Sequence, residues 1–356
     1  MFRDIEIQNA EQLMNPLWID VRSPDEFREA TIPGAINVPL FDDEERAQIG
    51  TVYKQESQEA AKLLGLEIAS KKLPALVRTI GSMQENGRDT IVFCWRGGMR
   101  SKTVATIMDL MDVSVYRLTG GYRAFRNHIA ESLLTYERDE PVPRCVVLHG
   151  MTGVGKTMLL QQMHEEGWPV LDLEKLAGHK GSVFGAIGET DVRNQRMFEA
   201  LLYEELKRLK GQPYMIIEAE SKRIGRVMLP EFLVEAKALG LHIYLEAPLS
   251  IRVQRTLMQY PVNIDDMDDK VSFALKRIEK RVSPDLRHAW WCALQEQRYE
   301  DLIESLLRDY YDSRYQHAFE QYTGTIHYVD ATDLEECKQS IREIIVATPA
   351  STIPNR

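Results

Sequence analysis

Short apolar runs alternate with longer amphipathic stretches along this chain. Leu17-Trp18-Ile19-Asp20-Val21 and Thr90-Ile91-Val92-Phe93 are too short for helices and predict buried strands, and Val113–Arg117 predicts another. Between them, Ser23-Pro24-Asp25-Glu26-Phe27 predicts a helix start, with Ser23 as N-cap, Pro24 at the first helical position and Glu26 closing a capping box. Residues 32–39 predict a turn and a short strand, residues 54–86 a polar-faced helical stretch, and residues 101–111 a further helix. Strands separated by helical patterns predict a mainly parallel α/β sheet.

A charged segment with two prolines, Glu137–Arg144, predicts a linker. It divides the chain into a domain of residues 1–136, a linker of 137–144 and a domain of 145–356. Past it the α/β pattern resumes, with predicted strands at Cys145–His149, Trp168–Leu171, Tyr214–Glu218 and Leu241–Leu245. From about 265 to 320 the pattern is helical and rich in charge, and the tail from Thr348 predicts a frayed end.

With 356 residues, 44% of them hydrophobic, the chain has material for two ordinary cores. A net charge of −10 gives no overall field for a polyanion, so any nucleic-acid surface must be a local patch. The 4 cysteines form no CxxC pair and no zinc spacing, so no metal set is expected from them. Reduced thiols, an N-terminus without an apolar leader and no run of about 18 apolar residues predict a cytoplasmic protein without membrane spans.

Two loops carry candidate chemistry. Residues 150–157, Gly-Met-Thr-Gly-Val-Gly-Lys-Thr, match the phosphate-loop pattern in full and follow a predicted strand. Gly150, Thr152, Gly153 and Gly155 let backbone N–H groups wrap a diphosphate, Lys156 supplies a mobile charge, and Thr157 offers a hydroxyl suited to Mg²⁺. Glu218, or Glu220 after it, is the candidate acidic partner, and Arg252 and Arg255 fall where an arginine often faces phosphates. The second loop is Cys94-Trp95-Arg96-Gly97-Gly98-Met99-Arg100-Ser101. Arg96 and Arg100 beside Cys94 favour its thiolate, and loop N–H groups converging on one centre form an anion cradle. Arg100 is expected to lie across the mouth of that loop.

This second loop resembles the rhodanese family. So do Asp20-Val21-Arg22-Ser23-Pro24-Asp25-Glu26-Phe27, Ile32–Pro39 and Gly120-Gly121-Tyr122, covering roughly residues 5–130. The stretch at 45–85 is longer than a minimal rhodanese domain requires. With Leu176–Gly185 and Glu218–Gly225 added, the chain resembles the tRNA 2-selenouridine synthase family over nearly its full length. The fold expected is an N-terminal rhodanese-like parallel-sheet domain followed by a P-loop NTPase-like α/β domain with a helical C-terminal region.

The resemblance implies a transferase acting on the wobble uridine of certain tRNAs, already thiolated at C2. Sulfur is replaced by selenium from selenophosphate, through an S-geranylated intermediate made from geranyl diphosphate. Alkylated sulfur leaves more readily than a bare thiocarbonyl sulfur, and the P-loop would hold the allylic diphosphate. Cys94 would carry selenium as a selenosulfide or position selenophosphate for direct attack. The competing reading is a rhodanese-type sulfurtransferase fused to a nucleotide-dependent small-molecule kinase.

Substrate or tRNA contacts are expected at Trp95, Gly97 and Gly98, at Asp172, and at His179, Lys180 and Ser182 in a Gly-rich stretch. Lys222 and Arg223 with Arg226 form one basic cluster, and Lys270, Lys276, Arg277, Lys280, Arg281 and Arg287 another. In the second, residues 276, 277, 280 and 281 are expected on one helical face. Trp290, Trp291 and Tyr260 are candidates to stack on unpaired bases.

Overall fold

The apolar runs become strands of two parallel sheets. A computed structural model describes residues 2–84, 87–179, 193–259, 267–312 and 325–348. The side chains of Gln259, Met267 and Lys270 fall outside that description, as do Lys180, Ser182 and Tyr260 entirely. The chain divides into two compact units: Met1–Thr135 with Arg196–Tyr203, and Tyr136–Gln195 with Glu204–Arg356.

The first unit begins with strand β1 (Arg3–Ile5) and helix α1 (Ile7–Ala10). Strand β2 (Leu17–Asp20), helix α2 (Pro24–Glu29) and strand β3 (Ile36–Asn37) follow. Next come α3 (Asp43–Gln55), α4 (Gln58–Met83), β4 (Thr90–Phe93), α5 (Met99–Leu110), β5 (Tyr116–Leu118) and α6 (Gly121–Asp139). The sheet order is β1-β5-β4-β2-β3, with every pair parallel. Register places Asp20 beside Phe93, so Val21-Arg22 and Cys94 leave the sheet at one carboxyl edge. The capping box at Ser23 and Glu26 forms as the sequence predicts.

The helical stretch expected at 54–86 is two helices, because Ser57 caps a new start by accepting from Ala60 N–H at 3.0 Å. Ala61, Ala69, Leu76 and Ile80 give α4 its buried stripe, and Ala69, Leu76 and Ile80 join Leu17, Ile19, Val92, Val104 and Met108 in the core. The strand expected at 113–117 starts later. Asp112 turns left-handed (φ +58°) and the Val113 N–H returns to the Met108 carbonyl at 3.0 Å, which spends these residues closing α5. Helix α6 continues to Asp139, into the proline-containing segment, leaving 140–143 before the next strand.

The second unit opens with β6 (Arg144–Gly150), α7 (Lys156–Glu165), β7 (Val170–Leu171), α8 (Leu173–Ala177), α9 (Gln195–Arg208) and β8 (Tyr214–Glu218). A small antiparallel pair, β9 (Arg223–Ile224) and β10 (Val227–Met228), precedes α10 (Glu231–Ala238) and β11 (Leu241–Glu246). The helical region is α11 (Leu249–Gln259), α12 (Met267–Ile278), α13 (Pro284–Gln295) and α14 (Tyr299–Ser305), and β12 (Ile326–Asp330) and α15 (Leu334–Ala347) complete the description. The parallel sheet runs β12-β11-β6-β8-β7. Val146, Leu148, Ile216 and Ile243 pack against Leu159, Leu160 and Met163 of α7 and Ile341 of α15.

The apolar pattern does not announce β12, an edge strand in which Val329 is the one buried residue. Helix α12 stops at Ile278, and Glu279–Arg281 form a 3-10 turn. A 3-10 turn has about three residues per turn, so the basic run is wound more tightly past Ile278 than a continuous α-helix would wind it.

Candidate active sites

Cys94 sits where β4 ends, and the backbone after it is held by close approach to 118–123. Gly121 has φ +59°, and a Cβ there would fall 2.1 Å from the Cys94 carbonyl oxygen. Gly97 (φ +63°) is also too close for a side chain, its Cβ position being 2.7 Å from the Leu118 carbonyl oxygen. The Tyr122 N–H donates to the Cys94 carbonyl at 2.8 Å and the Arg123 N–H to that of Trp95 at 3.0 Å. Gly120-Gly121-Tyr122 is therefore the seat of the cysteine loop. Cys94 Sγ lies 3.2 Å from the Ser101 hydroxyl. Although only 3% exposed, Cys94 lines a cavity of about 450 Å³ with Arg46, Trp95, Arg96, Gly98, Met99 and Arg100.

Arg100 is fixed from outside the loop. Its guanidinium makes two bonds to Glu26, at 2.5 and 3.1 Å. Burial is the largest influence and works against the Arg100 charge, but the Glu26 bond together with the negative charges of Glu26 and Asp20 raises its pKa. Burial likewise opposes the Glu26 charge, and the Arg100 bond lowers its pKa all the same. Glu26 thus closes the capping box of α2 and orients the arginine beside the cavity. Asp20 and Arg22 form a pair 0% and 1% exposed, with Nη2 to Oδ2 at 2.6 Å. Thr31 donates to the same carboxylate at 2.9 Å, and Arg22 also donates to the Ala30 carbonyl at 2.7 Å. The satisfied guanidinium lies 4.2 Å from the Tyr122 ring centre, and Tyr122 packs on Trp95 at 5.6 Å. Trp95 is therefore packed against the loop's own support. Asp20, Arg22, Glu26 and Tyr122 all lie within the rhodanese-like motifs, yet their bracing roles depend on contacts between distant segments.

The phosphate loop follows the same plan at the carboxyl end of β6. Gly150, Gly153 and Gly155 have φ of +143°, +80° and +103°. A Cβ on Gly153 would lie 2.7 Å from the Arg252 carbonyl, so the loop is pressed on α11. Lys156 Nζ donates to the Gly150 carbonyl at 2.7 Å. Thr157 Oγ1 reaches Glu174 at 3.3 Å and Glu218 at 3.5 Å. Carboxylates of Glu174, Glu218 and Glu220 lie within 4.8 Å of one another. No ligand spacing reveals this set, since Glu174 sits on α8 and the others at the end of β8. Glu218 is 0% exposed, and its Oε2 has no hydrogen-bond partner among the described residues. Burial, then the charges of Glu174, Asp172 and Glu220, push its pKa well above the carboxylate range. Asp172 is the N-cap of α8, accepting from Lys175 N–H at 2.8 Å, with burial the main cause of its raised pKa.

Arg252 does not face this loop's ligand side. It is 5% exposed, binds Asp312 through both terminal nitrogens at 2.6 and 3.0 Å, and donates from Nε to the Thr152 carbonyl at 3.0 Å. Arg255 donates to the Val154 carbonyl at 2.6 Å. Both arginines are struts under the P-loop. Just before the loop, His149 Nε2 meets His242 Nδ1 at 2.7 Å, and burial followed by the neighbouring His242 pushes the His149 pKa down to about 3.

The two middle motifs meet at His179. Gly225 has φ +55°, and a Cβ there would fall 2.8 Å from the His179 ring. Lys222 pairs with Glu231, and Arg223 Nε donates to the Gly225 carbonyl at 3.1 Å. A cavity of about 430 Å³ beside α7 is lined by Thr157, Asp172, Glu174, Gly178 and Arg193, among others. Trp290 is core, 1% exposed with its N–H on Ser305 at 2.9 Å, and is not available for stacking. Trp291 is half-buried with its N–H on Glu279 at 2.9 Å, and Arg281 reaches the Tyr310 hydroxyl at 3.5 Å.

Comparison with known proteins gives matches to both halves. Residues 6–128 match the rhodanese-like domain, and residues 143–346 match the tRNA 2-selenouridine synthase AAA domain. A Sulfurovum protein named tRNA 2-selenouridine synthase is 33% identical, covering 91% of this chain and 93% of its own. A protein of the same name from Bordetella petrii is 32% identical over 91% of this chain and 92% of its own. Among solved structures, the N-terminal domain of a putative ATP/GTP binding protein from Clostridium difficile 630 is 35% identical. It covers 35% of this chain and 98% of its own, with a TM-score of 0.35.

Proposed function

Because the chain belongs to the tRNA 2-selenouridine synthase family, we propose that it replaces the C2 sulfur of 2-thiouridine at the tRNA wobble position by selenium. The observation that supports this reading is that Cys94 and Lys156 each stand in a glycine-containing loop at the carboxyl end of a parallel strand, Cys94 lining a cavity with Arg46, Arg96 and Arg100.

In the first step the P-loop holds geranyl diphosphate. The uridine sulfur attacks the allylic carbon, a C–S bond forms, and the C–O bond breaks with its electron pair leaving on diphosphate. The N3 proton is lost, giving the S-geranyl nucleoside. Lys156 neutralises charge that grows on the departing diphosphate. Thr157, Glu174, Glu218 and Glu220 are the residues to hold Mg²⁺, a fit supported by the unpartnered Glu218 oxygen and by carboxylates whose crowding a cation would relieve. Mg²⁺ there would supply positive charge to the diphosphate oxygens.

In the second step the cysteine loop holds selenophosphate. Selenium attacks C2 and geranylthiolate leaves with the C–S electron pair. Water then cleaves the Se–P bond, releasing phosphate and 2-selenouridine. Selenium stays at the selenide level throughout, so the route needs no oxidant. A selenosulfide on Cys94 would require a two-electron oxidant, which favours the positioning role for Cys94, with its thiol beside the bound anion and Arg96 and Arg100 supplying positive charge.

Purified full-length protein, 2-thiouridine tRNA, Mg²⁺, geranyl diphosphate and selenophosphate test the reading. Mass analysis of digested tRNA should show the S-geranyl nucleoside before 2-selenouridine. Tight ATP binding with hydrolysis, and no change in the tRNA, would replace it by the fused sulfurtransferase–kinase.

A further inference from the structure

Helices α3 and α4, the stretch that exceeds a minimal rhodanese domain, form one side of an apolar groove of about 430 Å³. Phe41, Ile49, Tyr53, Ala61, Leu66 and Ala69 supply much of its lining. A Cβ on Gly65 would meet Phe41 at 3.6 Å and Ile49 at 3.8 Å, so this glycine faces the same groove. Leu63, Leu66, Met99 and Tyr53 are 63%, 60%, 59% and 54% exposed. A concentration of exposed apolar side chains around a concave surface marks a binding site rather than scattered surface residues. The volume falls in the range of small-ligand pockets, about 300–1,000 Å³.

Arg46, Met99 and Arg100 line both this groove and the Cys94 cavity. The two spaces share a wall, apolar on one side and cationic on the other. A ligand spanning them must carry an apolar arm joined to a group reacting beside an anion. We infer that the groove takes the isoprenoid chain of the S-geranyl nucleoside while selenium displaces its sulfur. This rests on the reaction proposed above, in which the geranyl group is bonded to the atom that leaves. By seating the leaving group's chain, the inserted helices fix the C2–S bond next to the selenophosphate loop. Arg46 and Arg100 lie where geranylthiolate and selenophosphate both carry negative charge.

Two measurements on the full-length protein test this. The first titrates the free nucleosides S-geranyl-2-thiouridine and S-methyl-2-thiouridine. The second follows selenium incorporation into tRNAs carrying either nucleoside. Wild-type protein should favour the geranyl form by about tenfold or more, since burying an apolar chain adds affinity with each methylene. Leu66→Asp, and independently Leu63→Asp, should remove most of that preference. Leu110→Asp, at a residue 70% exposed and outside the groove, should retain it. Thermal melting confirms that each variant is folded. Equal binding of both nucleosides by the wild type, or an undiminished preference in Leu66→Asp and Leu63→Asp, overturns the inference. Wild-type protein that sediments as a dimer and Leu66→Asp protein that sediments as a monomer would instead make the groove an interface between copies and also overturn the inference. If the nucleoside preference appears and responds to the variants while no selenium enters tRNA, the groove assignment stands and the proposed reaction falls.

Discussion

Gly121→Ala tests whether the cysteine loop is held by close backbone approach. The added Cβ would lie 2.1 Å from the Cys94 carbonyl oxygen and 2.5 Å from the Gly97 nitrogen, both backbone atoms that do not swing aside. The residue must also keep φ at +59°, a left-handed conformation that costs a side-chain-bearing residue about 1–2 kcal/mol. Overpacking adds about 1–3 kcal/mol. Movement that relieves the clash stretches the bonds from Tyr122 N–H and Arg123 N–H, each worth about 0.5–1.5 kcal/mol. Bond stretching stands in place of the overpacking it relieves, so the conformational cost and either one give about 2–5 kcal/mol of destabilisation. At about 2–4 °C per kcal/mol, the melting temperature should fall by about 5–20 °C. Gly34→Ala is the matched control, because φ is +77° there and no atom lies within 4 Å, so only the conformational term applies. Calorimetry compares the two, and selenium incorporation into tRNA reports the loop. A Gly121→Ala protein that melts with Gly34→Ala and incorporates selenium at the wild-type rate would show that the loop is supported by something else.

Cys94→Ser should abolish selenium incorporation while geranyl transfer continues, and nucleoside masses from one reaction read both; wild-type selenation would remove the thiol from the mechanism. Lys156→Ala should slow geranyl transfer by about 10²–10³-fold, with selenation falling behind it, and unchanged geranyl transfer would exclude the P-loop as the diphosphate site. Glu218→Gln should raise stability at alkaline pH. The folded pKa lies above the ordinary 4.5, so as pH rises the unfolded chain releases this proton first and the wild type loses stability through that window. Calorimetry in chelator should therefore find Glu218→Gln more stable by about 1–3 kcal/mol at pH near 8, with the gap closing toward pH 4; equal melting at both pH values would contradict a strained buried carboxylate.

The loops were legible because their chemistry is local. A strand, three glycines, a lysine and two threonines lie within one short run at 144–157, and the left-handed backbone angles of that run fall on its glycines. Cys94 to Arg100 is equally compact. What surrounds these loops was not legible, because each support arrives from another segment. Glu26 fixes Arg100 across 74 residues of chain, and Arg252 braces Thr152 across 100. Trp290 illustrates the opposite error: an aromatic in a charged region suggested stacking, but Ser305 satisfies its N–H and the surrounding helices bury it.

Hydrophobic spacing and two contiguous motifs thus determined the class of fold, the position of both glycine loops and the thiol and amine they carry. Only the folded chain decided that Glu174, Glu218 and Glu220 converge, that Arg252 is a strut, and that the α3–α4 insertion opens a groove beside Cys94. The reason is physical: backbone conformation is set by neighbours in sequence, whereas desolvation and charge pairing are set by neighbours in space.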